Sequence, residues 1–450
     1  MVLPVESDFK GTYNVLFGLL PPLGILYLSK ILENNDIQVS VLDFSAEKFE
    51  DHKLINALSN VDAVGMTIMS TSVQRANEII NKIKEKDQDI PVIIGGPHCT
   101  LFPKRSLEET VADICIQGDG ENIILNLMKA INSKSDLSKI SGIYFREKNS
   151  IKKGGKIEYC KNLDTLPFPS RHLVKKYRYG QAYNPRVEKG ELTSIITSRG
   201  CPYKCIFCSR RTICGNLYRT RSTNNIVEEL FEIHNNGYKY IAIVDDSFLS
   251  NKKQAMTIFK TVIEENLNFN FYITAARVDS ANKELYDLMK KAGVKSIQFG
   301  LESGNQEILD YYKKGTTVDK IKYAVNLSNK SGFFTSGTFI LGAPFETKKH
   351  FDNTVKFAKS LPIEAASFLP LRYRAGTDIW SNAVEKGKIE SNEYEVHADS
   401  NRRLGLFTED ELKKYCKNAQ RIYYLRLAYL LYLLKSTLKK NDSSIFRMLS

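Results

Sequence analysis

The chain has 450 residues, with 64 Lys plus Arg against 51 Asp plus Glu, a net charge of +13. That length suggests two or three domains of roughly 100–200 residues each. An apolar share of 42% and a charged share of 26% exclude wholesale disorder, a collagen and a polytopic membrane protein. The charge is segregated. Residues 150–225 hold 16 basic and 4 acidic side chains, residues 401–450 hold 11 and 4, and the remainder is net negative. An even basic excess would point to nucleic acid. A segregated one asks what lies beside those two segments.

Eight cysteines occur, at 99, 115, 160, 201, 205, 208, 214 and 416. Three of them crowd into residues 201–208, which argues against a secreted disulfide scaffold. No signal peptide is visible: Glu6 and Asp8 stand where a basic lead belongs, and the apolar stretch Val15–Leu28 is broken by Pro21 and Pro22. That stretch is also too short to span a bilayer. The expected compartment is a reducing cytoplasm.

In chain order, residues 1–135 alternate short β-branched runs with helical patterns. Val2–Val5, Ile37–Asp43, Ala63–Met69, Pro91–Gly95 and Ile114–Gln117 read as strands, and Leu23–Glu33, Ser72–Lys86 and Glu121–Ile131 as helices. The alternation predicts an α/β fold with a parallel sheet covered on both faces. Residues 136–190, with Lys152–Gly155 and Leu166–Ser170, read as a connector. Over 191–380 the alternation returns, with strands at Leu192–Thr197, Tyr240–Val244, Asn270–Ala275, Ser296–Phe299, Phe334–Leu341 and Ala365–Leu369. Six such units predict a partial barrel whose functional residues follow the carboxyl ends of the strands. Residues 381–450 read as a helical region in which Leu427–Leu434 is apolar on every face.

The sharpest motif is Cys201-x3-Cys205-x2-Cys208, directly after a predicted strand. Three thiolates on one loop can ligate three irons of a [4Fe–4S] cluster and leave the fourth open, whereas four cysteines would close it. A zinc knuckle completed by Cys214 or His234 is the competing reading. The motif, with Phe207 before its last cysteine, resembles that of the radical S-adenosylmethionine enzymes. In that superfamily S-adenosylmethionine binds the open iron and is cleaved to a 5′-deoxyadenosyl radical.

Downstream segments resemble the same family in the same order. In Ile241–Phe248, Asp245 or Asp246 would hold the methionyl ammonium. Arg277 would pair with a carboxylate. Gly300–Gly304 resembles a Gly-x-Glu-Ser-Gly strand end, with Glu302, Ser303 and Gly304 near the cofactor. Phe339–Thr347, containing Gly342, resembles the segment beneath the adenine, and Ala375–Thr377 its Pro-Gly-Thr closure.

The N-terminal part resembles the Rossmann-like (flavodoxin-like) cobalamin-binding domain that often precedes this barrel. Pro21–Tyr27, Thr67-Ile68-Met69, Gly95–His98 and Gly118–Glu121 carry the resemblance, which implies Thr67, Met69, Gly95, Gly96 and Glu121 as contacts of the corrinoid tail. The Asp-x-His-x-x-Gly signature of cobalt-ligating relatives is absent, and His52 and His98 do not replace it. Cys99, Cys115 and Cys160 could alternatively form an amino-terminal cluster like that of the methylthiotransferases.

The resemblance implies a cobalamin-dependent radical enzyme, a methyltransferase acting on an unactivated centre of a small-molecule or lipid-like substrate. Its electron donor would be a flavodoxin or ferredoxin. An oxidative cyclase without methyl transfer and a non-catalytic iron–sulfur or corrinoid sensor are the alternatives. No RNA-binding module is recognisable, so nucleic acid is not expected. The apolar tail leaves two readings, a helix covering the barrel or a peripheral membrane contact.

Overall fold

The computed structural model describes residues 1–4, 19–181 and 187–440, and side chains as far as Ser436. The beginning of the Val15–Leu28 stretch, Val5 and the last ten residues of the basic tail lie outside the described residues. The described residues form two large sheets, the first mostly and the second wholly parallel.

The first sheet holds β1 (Val2–Leu3), β2 (Leu42–Asp43), β3 (Val64–Thr67), β4 (Val92–Gly95), β5 (Ile114–Ile116), β6 (Ile143–Glu147) and β7 (Ser150–Lys153) in the order β2-β1-β3-β4-β5-β6-β7. The five leading strands are parallel, and β6 and β7 add an antiparallel hairpin. The order 2-1-3-4-5 is the flavodoxin-like one expected, with its crevice at the carboxyl ends where strand order reverses. Two expectations shift. The strand expected over Ile37–Asp43 keeps only Leu42–Asp43 in the ladder, because its sole neighbour β1 offers two residues. The sheet also continues to Lys153, beyond the boundary expected at 135, since Lys152 and Lys153 sit on an outermost strand.

The second sheet begins with β8 (Leu192–Ile195). A two-residue ribbon, β9 (Ser198–Arg199) with β10 (Arg219–Thr220), frames the cysteine loop. Then come β11 (Tyr240–Ile243), β12 (Asn270–Ala276), β13 (Val294–Glu302), β14 (Phe334–Leu341) and β15 (Ala365–Pro370), giving the all-parallel order β15-β14-β13-β12-β11-β8. This is the predicted partial (β/α)6 barrel. Several of its helices start on a side-chain cap: Ser222, Asn251, Asn282 and Thr317 each accept an N–H of the first turn, satisfying donors a helix start leaves free.

The tail is less uniformly helical than expected. Within it β17 (Glu395–His397) pairs antiparallel with β16 (Arg372–Arg374), which precedes the boundary expected at 381, and helices Glu409–Tyr424 and Leu427–Lys440 follow. Both helices join the barrel core, with Tyr423, Tyr429 and Leu433 fully buried. Helix Glu409–Tyr424 lies along β15: Gln420 accepts from the Phe368 N–H (3.2 Å) and donates to the Ala366 carbonyl (2.9 Å), and the Tyr424 hydroxyl accepts from the Ala366 N–H (3.0 Å). Beneath the sheet, Glu364 accepts from Tyr432 (2.7 Å), Ser436 (2.7 Å) and the Thr335 N–H (2.8 Å).

The connector is pinned by charge. Arg171 donates to Thr193 Oγ1 (2.9 Å) and the Ser194 carbonyl (3.0 Å), and shares the fully buried Glu229 with Arg221. Removing one member of a buried ion group strands the rest without compensation. Glu229→Gln is therefore expected to cost roughly 3–5 kcal/mol, read as a lower calorimetric melting temperature. An unchanged transition would show that the two guanidinium groups find other partners.

Candidate active site

The cysteine loop leaves the barrel at the carboxyl end of β8. Asp245, just after β11, holds it there: its carboxylate accepts from the Thr197 N–H (2.7 Å), Thr197 Oγ1 (2.6 Å) and Ser198 Oγ (2.5 Å). Burial pushes the Asp245 carboxyl up to about 6, against these three bonds. Gly200 follows at φ +85, where a Cβ would lie 2.1 Å from the Leu217 carbonyl oxygen, so only glycine admits the turn. The loop is then stitched downward by Ile206 N–H to the Tyr312 carbonyl (3.2 Å) and by Phe207 edge-on to Tyr312, with centroids 5.1 Å apart.

Cys201 and Cys205 are half-buried and Cys208 is exposed, and all three thiols are free. Burial pushes the half-buried Cys201 thiol above its ordinary value, and a bound cation would favour its thiolate form. Among the described residues no three His, Cys, Asp or Glu side chains converge on a single-ion position. A four-iron cube asks for something else, one cysteine per iron on a short loop, and this donor set meets it. The zinc alternative loses its histidine: His234 stands at the other end of the sheet, edge-on to Phe269 (5.7 Å) just ahead of β12. Cys214 packs beneath Gly200, its thiol pushed by burial up to about 11. Cys99 and Cys115 are buried in one apolar cluster and Cys160 in another, so they do not assemble a second site.

Arg277 and Asp246 face the loop, and Glu302 stands at the end of β13. Arg277 Nη1 donates toward Cys205 Sγ (3.6 Å) and its guanidinium lies 3.6 Å from the Tyr203 ring centroid. Its other nitrogens are held by Asp279 (2.7 Å) and by the Lys314 carbonyl. Asp246 pairs with Arg210 (3.1 Å). Glu302, at φ +62 beside a bulge at the end of β13, pairs with the buried Lys314 (2.6 Å). A non-glycine residue in that region is uncommon, and the neighbouring Gly300 supplies the room: a Cβ there would lie 2.5 Å from the Glu302 carboxylate. Ser303 and Gly304 instead face helix Lys348–Ser360, through Thr354 (3.2 Å from Ser303 Oγ) and Phe357. Gly342 adopts φ +111 and packs on Leu412, its N–H donated to Glu346 (2.7 Å).

The second element is a cavity of about 260 Å3 at the carboxyl ends of β3 and β4. Thr67, Gly95, Gly96 and Glu121 line it, while Met69 lies outside its lining and is partly exposed. Gly96 sits at φ +101, where a Cβ would meet Thr67 Oγ1 at 2.5 Å. Gly24 and Gly95 behave differently: a Cβ on Gly24 meets nothing within 4 Å, and on Gly95 nothing closer than 3.8 Å. Both open onto the cavity, where the backbone stands clear of side chains. His98 is a packing residue, fully buried, edge-on to Tyr394 (4.6 Å), its imidazole pushed by burial down to about 4.

Arg199 reaches this cavity from the barrel. It lines the wall, stacks over Tyr27 (5.4 Å), and pairs with Glu121 (2.5 Å) and Asp119 (3.4 Å), while Arg219 also pairs with Asp119. Sequence reasoning missed Arg199, Lys314 and Gly24. Only proximity to the cysteine motif marked Arg199, Gly24 lay inside the Pro21–Tyr27 segment without being singled out, and no local signal marked Lys314.

Comparison with known proteins agrees with this geometry. Residues 195–358 match the radical SAM superfamily model and residues 10–128 the B12-binding domain model. A Pyrococcus horikoshii protein named uncharacterized methyltransferase PH0819 is 30% identical over 94% of this chain and 91% of its own. The chain belongs to the radical S-adenosylmethionine superfamily. Within it, the chain falls in the cobalamin-dependent methyltransferase group of enzymes, whose cofactors are a [4Fe–4S] cluster, S-adenosylmethionine and cobalamin. The cytidylyl-2-hydroxyethylphosphonate methyltransferase of Streptomyces wedmorensis is 25% identical over 83% of this chain and 79% of its own. An anaerobic magnesium-protoporphyrin IX monomethyl ester cyclase of Cereibacter sphaeroides is 26% identical over 79% of this chain and 59% of its own. Two solved structures share the radical SAM and cobalamin architecture. The methyltransferase TsrM of Kitasatospora setae, with cobalamin and a [4Fe–4S] cluster bound, has a TM-score of 0.69 at 20% identity, covering 85% of this chain and 74% of its own. The enzyme OxsB with aqua-cobalamin bound has a TM-score of 0.72 at 17% identity, covering 100% and 74%.

The buried Glu346 gives this radical SAM site a pH signature. It accepts from the Gly342 and Ala343 N–H groups (2.7 and 3.0 Å), and burial pushes its carboxyl from 4.5 up to about 7. The folded state therefore favours the protonated form, and its contribution is complete below pH 4.5 and falls as pH rises to about 7. The slope is at most about 1.4 kcal/mol per pH unit. Glu346→Gln keeps the acceptor and does not titrate, so its stability relative to wild type should rise between mildly acidic and neutral pH. Parallel denaturation profiles would show the carboxyl to be ionised throughout.

Proposed function

We propose that this enzyme transfers a methyl group, by way of cobalamin, to an unactivated carbon or phosphorus centre of a small, largely apolar substrate. The observation that carries the reading is Arg199. It lines the cobalamin-type cavity and stands two residues before Cys201, so the two cofactor sites share one wall. Such a shared wall suits a reaction in which radical formation and methyl delivery meet on one substrate.

When bound, the cluster with S-adenosylmethionine supplies a 5′-deoxyadenosyl radical, and cobalamin carries the methyl group. The rest falls to the chain. Cys201, Cys205 and Cys208 are the cluster ligands. Asp245 is already engaged by three donors, which leaves Asp246 to take the methionyl ammonium. Arg277 serves the methionyl carboxylate or the Cys205 thiolate, and Glu302 with Lys314 the ribose. Ser303, Gly304 and Gly342 act indirectly, packing their strand ends against helices Lys348–Ser360 and Glu409–Tyr424. Thr67, Gly95 and Gly96 let the corrinoid tail approach, and Glu121 acts through Arg199. Phe345, 40% exposed and edge-on to Tyr311, gives the mouth an apolar rim that suits such a substrate. The exposed Lys204 and Arg210 beside Cys208 suit docking of an acidic electron donor such as flavodoxin or ferredoxin.

Ring closure without methyl transfer is the second reading, raised by the resemblance to the Cereibacter cyclase. Product analysis separates the two: methyl transfer yields S-adenosylhomocysteine as well as 5′-deoxyadenosine, and ring closure yields only the latter. Cys205→Ala should abolish 5′-deoxyadenosine formation by reconstituted, reduced protein. Gly24→Leu should fill the cavity, so that the corrinoid absorption is lost while 5′-deoxyadenosine still forms. Corrinoid retained at full occupancy in that variant would place cobalamin elsewhere.

A further inference from the structure

Helix Leu427–Lys440 has two unlike faces. Tyr429, Leu433 and Ser436 are buried against the barrel floor, with the Tyr429 hydroxyl donating to the Glu364 carbonyl (2.5 Å). The opposite stripe, Leu427, Leu430, Leu431 and Leu434, follows the i, i+3, i+4, i+7 spacing and is 73%, 40%, 51% and 47% exposed. Ile422 and Leu425 precede it, 52% and 81% exposed. Six large aliphatic side chains in water reverse the pattern of an ordinary surface helix, whose outer face is polar. A contiguous exposed apolar patch of this kind marks an interaction site.

Charge supplies a second, independent signal. From Leu412 to Lys440 the sequence has eight Lys and Arg and no Asp or Glu. Lys413 is neutralised by Glu409 (2.5 Å), and Arg426 is turned inward, donating to the Lys359 carbonyl (3.0 Å) and stacking over Tyr423 (4.5 Å). Arg421 and Lys435 are exposed beside the leucines.

We infer that this leucine stripe and its basic flank dock the enzyme on an anionic lipid bilayer. Apolar burial or a basic patch alone gives marginal membrane binding, and the two together give stable anchoring. A second copy of the chain fits the surface poorly, because pairing two such faces sets cation against cation. The contact is peripheral: among the described residues no helix is long and apolar enough to cross a membrane. It is also oriented. Glu364, which anchors the helix, precedes β15, so the docking face lies at the barrel floor and the cysteine loop at the opposite end.

The test is co-sedimentation of full-length, cofactor-loaded enzyme with vesicles of phosphatidylcholine alone and of equal parts phosphatidylcholine and phosphatidylglycerol. Binding is expected on the mixed vesicles, about tenfold above the neutral ones, and weakened by salt. The combined change Leu430→Gln, Leu431→Gln and Leu434→Gln should reduce partitioning by about tenfold at unchanged circular dichroism and melting temperature. Arg421→Glu with Lys435→Glu, which leaves every apolar contact in place, should remove the preference for the anionic vesicles. Failure of the wild type to bind mixed vesicles overturns the inference, as does undiminished binding by both variants. It also falls if sedimentation velocity shows a dimer that the leucine variant converts to monomer.

Discussion

Four charged side chains hold the two halves of this protein in register. Arg199 and Arg219, on the ribbon that frames the cysteine loop, meet Asp119 and Glu121, on the loop after β5. All four are largely withdrawn from water, so each pair has to offset its own desolvation through close geometry. Apolar contacts could join two sheets as firmly, but they would tolerate sliding. Paired charges with fixed partners do not, and the cavity wall is where sliding would matter most.

The same contacts explain the uneven charge. The basic segment 150–225 looks unbalanced along the sequence, and its counter-charges are brought from elsewhere by the fold. Arg171 and Arg221 share Glu229, Arg199 and Arg219 meet Asp119 and Glu121, and Arg210 meets Asp246. These five of the sixteen cations join pieces of the molecule to each other, so positive potential for an anionic cluster or a corrinoid phosphate is not the whole account.

What the sequence made legible followed the range of the interactions involved. The cysteine loop, the strand ends at Gly300–Glu302 and Gly342, and the cavity glycines Gly95 and Gly96 are local patterns, and the fold sets each at the carboxyl end of a strand. The six barrel strands announce themselves because each is an apolar run followed by a helical period. Other features depend on partners far along the chain. Asp245 and Asp246 are adjacent in sequence, and only the position of Thr197 and Ser198 shows that the first anchors the loop. Ser303 and Gly304 belong to a motif but face a helix fifty residues later. The β6–β7 hairpin was hidden because Lys152 and Lys153 read as turn chemistry until an edge position explains them. The strand over Ile37–Asp43 shrank because a ladder needs a partner of equal length.

A six-stranded parallel sheet that does not close has two free edges, and each is a row of unpaired peptide groups able to recruit a like edge from another molecule. Here both are occupied by side chains. At β8, Arg171 takes the Ser194 carbonyl. At β15, Gln420 and Tyr424 stand in for a missing strand by bonding Ala366 and Phe368. Helix Glu409–Tyr424 therefore works as a surrogate strand, and it guards against misassembly. A barrel relieved of its last forty residues would keep all six strands and the cysteine loop, and would carry an adhesive edge that the intact chain never presents.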